Sequence, residues 1–368
     1  MAALTFRRAT QATRALVVLA LAATACQRRS VLVVAAEPVT PRMSARDPYW
    51  TLTTREHVDL WLHGFARLLP DTFRVTLFDN AYSQRVTAAR GAMRTVLDDS
   101  SVKLRSFVER DPRLAQAQFV ALYFSSWTEL SRAVRAFLAS SEVSGSGALR
   151  EYAVLRSYFP TAEGRAFLAM FHAALEDEGR RFFSEYRARE LRQRATAFAL
   201  TERHWRELGP LLDRYLRNSG QLRGTVLASL VLRGQGRTLP QAEGVTVVVG
   251  YPRDSASALE PLFTVVREIT AAEASRVVAA HATSAERLGS DVESLESVAS
   301  VRAGAFLLDR IAPDLAAEYR RFYLGLAGAS GSSERELRAV YALPGAIADA
   351  LANRIAIILE GLRRETDR

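Results

Sequence analysis

The sequence predicts a mainly α-helical fold, a globular body of roughly a dozen helices with one small β hairpin at about residues 225–250. Apolar residues recur at intervals of three and four over most of the 368 residues. Capping residues or prolines stand where most of these stretches begin. Runs of β-branched residues bounded by glycines occur in a single region. The chain is 49% hydrophobic, which is enough to build a sizeable core.

Residues 49–220 are predicted to form an N-terminal helical lobe. Its first helix begins at a capping-box pattern and carries apolar side chains at helical spacing until a proline. Later starts are marked by an Asp-Pro pair and by a second capping-box pattern. The predicted helices begin at Thr53–Glu56, cover 79–97, begin again at Asp111 and at Ser126–Glu129, and fill most of 149–216 with breaks near Pro160 and Thr201.

Residues 221–368 are predicted to form a C-terminal α lobe that contains the hairpin. Two strands, 225–232 and 245–250, are separated by a loop with glycines and a proline, and we expect them to pair with each other. A hairpin of this kind needs a helix layer over one face to be stable. Further helices are predicted over 257–269 and 270–281, after Pro313 and after Pro344.

Residues 1–25 have the layout of a secretion signal. Arg7, Arg8 and Arg14 give a positive start, an apolar stretch follows over 15–23, and small residues come next. The stretch is shorter than the roughly 20 apolar residues that span a bilayer. We therefore expect a cleaved signal peptide.

Leu21–Cys26 resembles the lipobox of bacterial lipoproteins, with Ala23 at the position where that family usually has leucine. Cys26 is the single cysteine of the chain, so no disulfide can form within it. The resemblance implies that Cys26 carries a lipid that holds the protein on a membrane. Gln27 follows the cysteine, and in diderm bacteria a residue other than aspartate there implies sorting to the outer membrane, facing the periplasm or the surface.

Residues 26–48 contain three prolines and are predicted to be a tether next to the lipid, although the apolar run 31–34 is also consistent with an edge strand of the body. The body at the end of this tether is expected to bind an envelope protein or polymer. Plain secretion without a lipid and an uncleaved anchor remain the alternatives.

The charge does not indicate nucleic-acid binding, although the net charge is +9. Lys103 is the only lysine, and the 49 basic residues are otherwise arginines interleaved with acidic residues. Removing the signal and its three arginines lowers the net charge from +9 to +6. Such a composition is typical of a GC-rich genome, and we expect no nucleic-acid partner.

The first helix carries a polar stripe. Glu56, Asp59 and His63 are separated by three, four and seven residues, which places their side chains on one side of a helix. Such a stripe can bind a cation or act in acid–base catalysis. Because Val58 and Trp61 belong to the apolar face, we expect the stripe to lie on the opposite face, in contact with solvent.

A second candidate site lies after the predicted hairpin. Residues 245–272 resemble the strand and active-site helix of gluzincin-type zinc metallopeptidases. The resemblance implies Glu268 as general base and Glu293 or Glu296 as the distal carboxylate. Arg267 and Ala271 stand at the two histidine positions, and an arginine offers no lone pair to zinc. The resemblance therefore implies a relative without its metal.

No other catalytic signature is present. The sequence lacks a Gly-x-Ser-x-Gly elbow and a complete phosphate-binding loop, and its single cysteine is assigned to the lipid. We therefore expect a non-enzymatic envelope protein with no cofactor and no metal. The alternative is a catalytically inactive or divergent relative of a zinc metallopeptidase.

Overall fold

A computed structural model describes residues 50–69, 77–79, 81–139, 149–241, 244–284 and 292–361. The predicted mainly α-helical class is confirmed. The predicted signal peptide, Cys26 and the predicted tether lie outside the described residues. Within the described ranges, no helix combines the length and apolar composition that crossing a membrane requires.

The first part of the described chain is one short strand followed by helices. The elements are β1 (Trp50–Thr53), α1 (Glu56–Leu68), α2 (Tyr82–Arg90), α3 (Val96–Arg110), a 3-10 helix (Pro112–Tyr123), α4 (Trp127–Ala139), α5 (Leu149–Tyr158), α6 (Ala162–Glu178), a π-helical turn (Gly179–Phe183), α7 (Ser184–Gln193) and α8 (Ala195–Asn218).

The second part contains three strands and then helices again. The elements are β2 (Gly224–Ser229), β3 (Arg237–Gln241), β4 (Gly244–Gly250), a 3-10 turn (Ser255–Ser257), α9 (Glu260–His281), α10 (Val292–Ile311), α11 (Pro313–Leu326), α12 (Glu334–Val340) and α13 (Gly345–Glu360).

The four strands form one mixed sheet in the order β1-β2-β4-β3. The predicted pairing is wrong in its geometry: β2 and β4 run parallel, and the antiparallel hairpin is formed by β3 and β4. Both parallel strands are buried over four consecutive residues, a pattern typical of strands covered on both faces. The prediction missed β3, whose Pro240 is tolerated because the strand lies at an edge.

The sheet lies between two hydrophobic clusters. Leu227 and Val248 contribute to a cluster built mainly by α1, α3, α4 and α6. Val226, Val247 and Val249 contribute to a second cluster built mainly by α8, α9, α10 and α13. Successive side chains of a strand point to opposite faces, so each central strand serves both clusters. The proposed lobe boundary near residue 220 stays a prediction, and α8 packs in the second cluster.

Three helix limits differ from the prediction. The helix predicted over 79–97 is divided at Gly91, whose φ of 59° is accessible to glycine at little cost. The breaks predicted at Thr201 and Thr270 are absent. Both threonine hydroxyls donate to the carbonyl four residues earlier in the same helix, a bond that satisfies them inside it. The chain instead breaks at Arg194.

Helices α1 and α6 approach each other closely at Gly64. A Cβ atom at Gly64 would lie 2.6 Å from Cζ of Phe171 and 2.8 Å from Cδ2 of Leu175, both of which are fully buried. We expect Gly64→Ala to lower the free energy of unfolding by about 1–3 kcal/mol, because a packed core accommodates added volume poorly. Denaturant unfolding checks this, with Gly325→Ala in open space on α11 as the control. Equal stability of the two variants would contradict the close approach.

Candidate functional site

The carboxylates predicted from the metallopeptidase resemblance are divided between two helices. Glu268 lies on α9, is 5% exposed and forms an ion pair with Arg267. Glu296 lies on α10 and is partly exposed, and the side chain of Glu293 lies outside the described residues. In the part of the chain that the structure describes, no group of three His, Cys, Asp or Glu side chains could hold a metal ion.

The Arg267–Glu268 pair is enclosed by neighbouring elements. Arg267 donates from Nη2 to Oγ of Ser297 over 3.1 Å, and Thr238 on β3 donates to Oε2 of Glu268 over 3.2 Å. Burial lowers the pKa of Arg267, but Glu268 together with Tyr323, Tyr319 and Tyr341 outweighs that effect and leaves the pKa above its ordinary value. The guanidinium of Arg267 therefore stays charged and pairs with the carboxylate of Glu268. Glu268 is the residue to which the resemblance assigns the role of general base.

The polar stripe on α1 is buried, so the prediction of a solvated face is wrong. Glu56 is exposed, but Asp59 is 1% exposed and His63 is 0% exposed. The reason is that both sides of α1 are covered. Its apolar face packs in the core, and α2 and α7 cover the opposite side. Arg187 on α7 donates from Nε to Oδ2 of Asp59 over 2.6 Å. Burial raises the pKa of Asp59, and Arg187 offsets part of that rise.

His63 is held at both ring nitrogens. Nδ1 lies 2.8 Å from the hydroxyl oxygen of Tyr82, and Nε2 lies 2.8 Å from Oε1 of Glu178. Burial raises the pKa of Tyr82 far above its ordinary value, so its hydroxyl keeps its proton. Burial also lowers the pKa of His63, which favours the neutral ring. The consistent assignment has Nε2–H donating to Glu178 and Nδ1 accepting from Tyr82.

Glu178 is the centre of this cluster. Besides His63, it accepts hydrogen bonds from Arg90 at Oε1 and from the hydroxyl of Thr95 at Oε2. Burial raises the pKa of Glu178, but these hydrogen bonds and the charge of Arg90 outweigh burial and hold the pKa below its ordinary value. Arg90 also pairs with Asp98 at the start of α3. The carboxylate is therefore ionised and links α1, α2, α3 and α6.

A π-helical turn begins directly after Glu178. Its Gly179 lies against Leu60 of α1, where a Cβ would be 3.0 Å from Cδ2 of that leucine. Turns of this kind often occur at functional sites. Tyr82 and His63 are 1% and 0% exposed, so a dissolved substrate cannot reach them in this conformation. The cluster is best described as a structural polar network, which we name the His63–Glu178 network.

The sequence contains one signal for this network, the position of Glu178 on α6. Phe167, Phe171 and Ala174 are fully buried on α6, and Glu178 continues the same face at a spacing of four residues. A charged residue on an apolar helical face requires a buried partner. The surrounding run of charged residues obscured this position.

A cleft opens at the carboxyl ends of β2 and β4. It is bordered by the segments that follow these strands, by the start of α9 and by the start of α8. In open mainly parallel sheets, ligands bind preferentially at this edge. The cleft is lined by Asp79, Arg194, Leu230, Leu232, Arg233, Gly234, Gly250, Tyr251, Arg253, Glu260, Pro261 and Thr264.

Comparison with protein-family models, with curated proteins and with solved structures finds no match for this chain.

Proposed function

We propose that the protein is an exported bacterial lipoprotein, held on a membrane by a lipid on Cys26, whose body binds a partner of the cell envelope without catalysing a reaction. The observation that carries the proposal is the position of the only cysteine, directly after an apolar stretch and a short run of small residues. A thiol there becomes the first residue after cleavage, where a lipid is attached in the family that the motif resembles.

The attachment of the tether to the body supports this proposal. Trp50, the first described residue, is 8% exposed and donates from Nε1 to the carbonyl oxygen of Gln221 over 3.0 Å. Its ring packs against that of Trp205, with centroids 6.2 Å apart. From there β1 pairs with β2 along four residues. The chain leaving the membrane therefore enters the body through a strand that is fixed on several sides.

The length of the tether is also compatible with membrane anchoring. The 23 residues between Cys26 and Trp50 reach at most about 80 Å when fully extended, since an extended chain spans about 3.5 Å per residue. Three prolines in this segment favour extended backbone. The body can therefore stand clear of the lipid surface and meet a partner there.

The alternative, a metal-free relative of zinc metallopeptidases, draws support from Glu268 lying beneath the edge strand β3. Metal analysis of the purified full-length chain separates the two proposals. Stoichiometric zinc would contradict a non-enzymatic protein. An absence of zinc from the native chain together with zinc uptake by the double variant Arg267→His, Ala271→His would favour the peptidase ancestry.

The anchor is tested with Cys26→Ala. We expect the wild-type chain to incorporate radiolabelled palmitate and to sediment with membranes, and the variant to incorporate none and to move to the soluble fraction. A change of Ser30 to Ala in the same segment is the matched control and should leave both results unchanged. If the Cys26→Ala chain stays with the membranes as firmly as wild type, the proposal fails.

A further inference from the structure

The cleft at the carboxyl ends of β2 and β4 carries more positive charge than its own acidic residues neutralise. Three arginines and two carboxylates line it. Arg253 pairs with Glu260 over 2.9 Å. Arg194 pairs with Glu190, which lies outside the lining. Arg233 has no ion pair among the described residues.

The second carboxylate of the lining is already in use. Oδ2 of Asp79 lies 2.6 Å from Nη2 of Arg85, and Oδ1 accepts from the backbone N–H of Ala81. Asp79 is therefore paired with Arg85, and no ion pair or hydrogen bond joins its side chain to Arg233 among the described residues. The lining with its immediate partners keeps an excess of one positive charge.

The side chain of Arg233 is half-buried, and one of its donors has no partner among the described residues. Its backbone N–H donates to the carbonyl oxygen of Leu77, which fixes the residue at the end of the segment after β2. Its Nε atom is buried and has no hydrogen-bond partner in the described part of the chain. Buried N–H groups of a charged side chain normally have a hydrogen-bond partner, and leaving such a hydrogen bond unmade is costly. Arg233 also lines the cleft, so an anion bound there can pair with its guanidinium.

Tyr251 supplies a neutral donor beside the arginines. It is 7% exposed and makes no side-chain hydrogen bond to a described residue. Burial raises the pKa of Tyr251 to about 12, with the neighbouring charges of Arg194 and Arg187 acting in the opposite direction, so the hydroxyl keeps its proton. Its ring stacks on Phe198 with centroids 4.8 Å apart and an interplanar angle of 10°. The position of the hydroxyl is therefore fixed.

The size of the cleft limits the ligand. Its empty volume, counted out to the open mouth, is about 360 Å³. Much of this volume is open solvent at the mouth, so the enclosed part of the cleft is small. The floor after β4 is also narrow, because a Cβ at Gly250 would lie 2.7 Å from the carbonyl oxygen of Leu232. A single oxyanion group fits these dimensions better than a nucleotide.

We propose that this cleft binds one phosphate group, with Arg233 as the main charged donor and the hydroxyl of Tyr251 as a neutral donor. Guanidinium groups bind phosphate through charge-assisted hydrogen bonds and match its geometry. The phosphate can be inorganic phosphate or the headgroup of a lipid with a terminal phosphate, because both present the same oxyanion. This site does not depend on the lipid at Cys26.

The test is calorimetric titration of the purified full-length chain with inorganic phosphate at low ionic strength. We expect Arg233→Gln to weaken phosphate binding by about tenfold or more, since a charge-assisted hydrogen bond is lost. Arg335→Gln, which makes the same change at an exposed position on α12, should alter binding less than twofold. Tyr251→Phe keeps the stacked ring, and we expect it to weaken binding severalfold. This second variant keeps the proposal testable if Arg233→Gln does not fold.

A second arm identifies the source of the phosphate. With the Cys26→Ala chain, which carries no lipid of its own, vesicles containing phosphatidic acid are compared with vesicles of phosphatidylcholine alone in a sedimentation assay, with and without free phosphate. Sedimentation that requires both phosphatidic acid and Arg233 supports a lipid headgroup. Calorimetric binding of free phosphate without such sedimentation supports the soluble anion. If wild type binds neither at about 10 mM phosphate, or if Arg233→Gln binds as well as Arg335→Gln, the proposal is overturned.

Discussion

Replacing Glu178 with leucine is expected to lower the free energy of unfolding by about 3–5 kcal/mol. The carboxylate is 0% exposed and accepts hydrogen bonds from His63, Arg90 and Thr95. Leucine would fill a similar volume but would leave the guanidinium of Arg90 buried without this partner. Removing one member of a buried ion pair is costly because the other charge remains out of water.

Glu176→Leu is the matched control for that measurement. Glu176 lies on the same helix and is exposed. Its Oε1 atom lies 3.5 Å from Nη1 of Arg135. An exposed pair of this kind contributes about 0–1 kcal/mol, so this variant should unfold close to wild type. Denaturant unfolding at neutral pH measures both variants. Loss of stability that is equal in the two would show that the His63–Glu178 network does not hold the helices together.

The second large expected effect is loss of stability in mild acid. His57, His63 and His172 are at most 5% exposed, and burial lowers the pKa of each from the ordinary value of 6.5. Below about pH 6.5 the unfolded chain binds protons at these residues before the folded chain does. The free energy of unfolding therefore falls as pH decreases, by about 1.4 kcal/mol per pH unit for each histidine. With three histidines, the slope approaches about 4 kcal/mol per pH unit.

Unfolding by urea at a series of pH values between 7.5 and 5.5 measures this slope. His172→Gln provides the comparison, because Nε2 of His172 lies 2.8 Å from Oγ of Ser131 and its ring stacks on Trp127, so glutamine can keep the polar contact. We expect His172→Gln to show a smaller slope, because the contribution of His172 is removed and those of His57 and His63 remain. A slope near zero in wild type would mean that these histidines are protonated equally in the folded and unfolded chains.

The local features of the fold were largely predictable. Ser126 caps α4 through its hydroxyl, Asp111 caps the following 3-10 helix, and Pro313 begins α11, as the sequence indicated. These starts depend on residues within one turn of each other, so they can be inferred from short segments. Helix ends that depend on the rest of the molecule were harder to predict. One example is Gly91, whose positive φ ends α2.

The candidate sites were less predictable, because burial depends on elements far apart in the chain. The sequence pattern predicts His63 in contact with solvent, because a single apolar face is enough to account for the packing of α1. The structure buries it because Glu178 approaches from 115 residues away. The cleft with Arg233 was not predicted either, since its lining comes from segments after two strands and from the starts of two helices.

The sequence by itself determined the helical class, most helix starts and the position of the only cysteine, because each depends on neighbouring residues or on their spacing along one helix. Only the folded structure shows the parallel pairing of β2 with β4, the burial of the His63–Glu178 network and the position of Arg233 in a cleft where no described residue forms an ion pair with it. These features depend on which distant segments meet, and hydrophobic periodicity specifies only that a face is covered. It does not specify which element covers it.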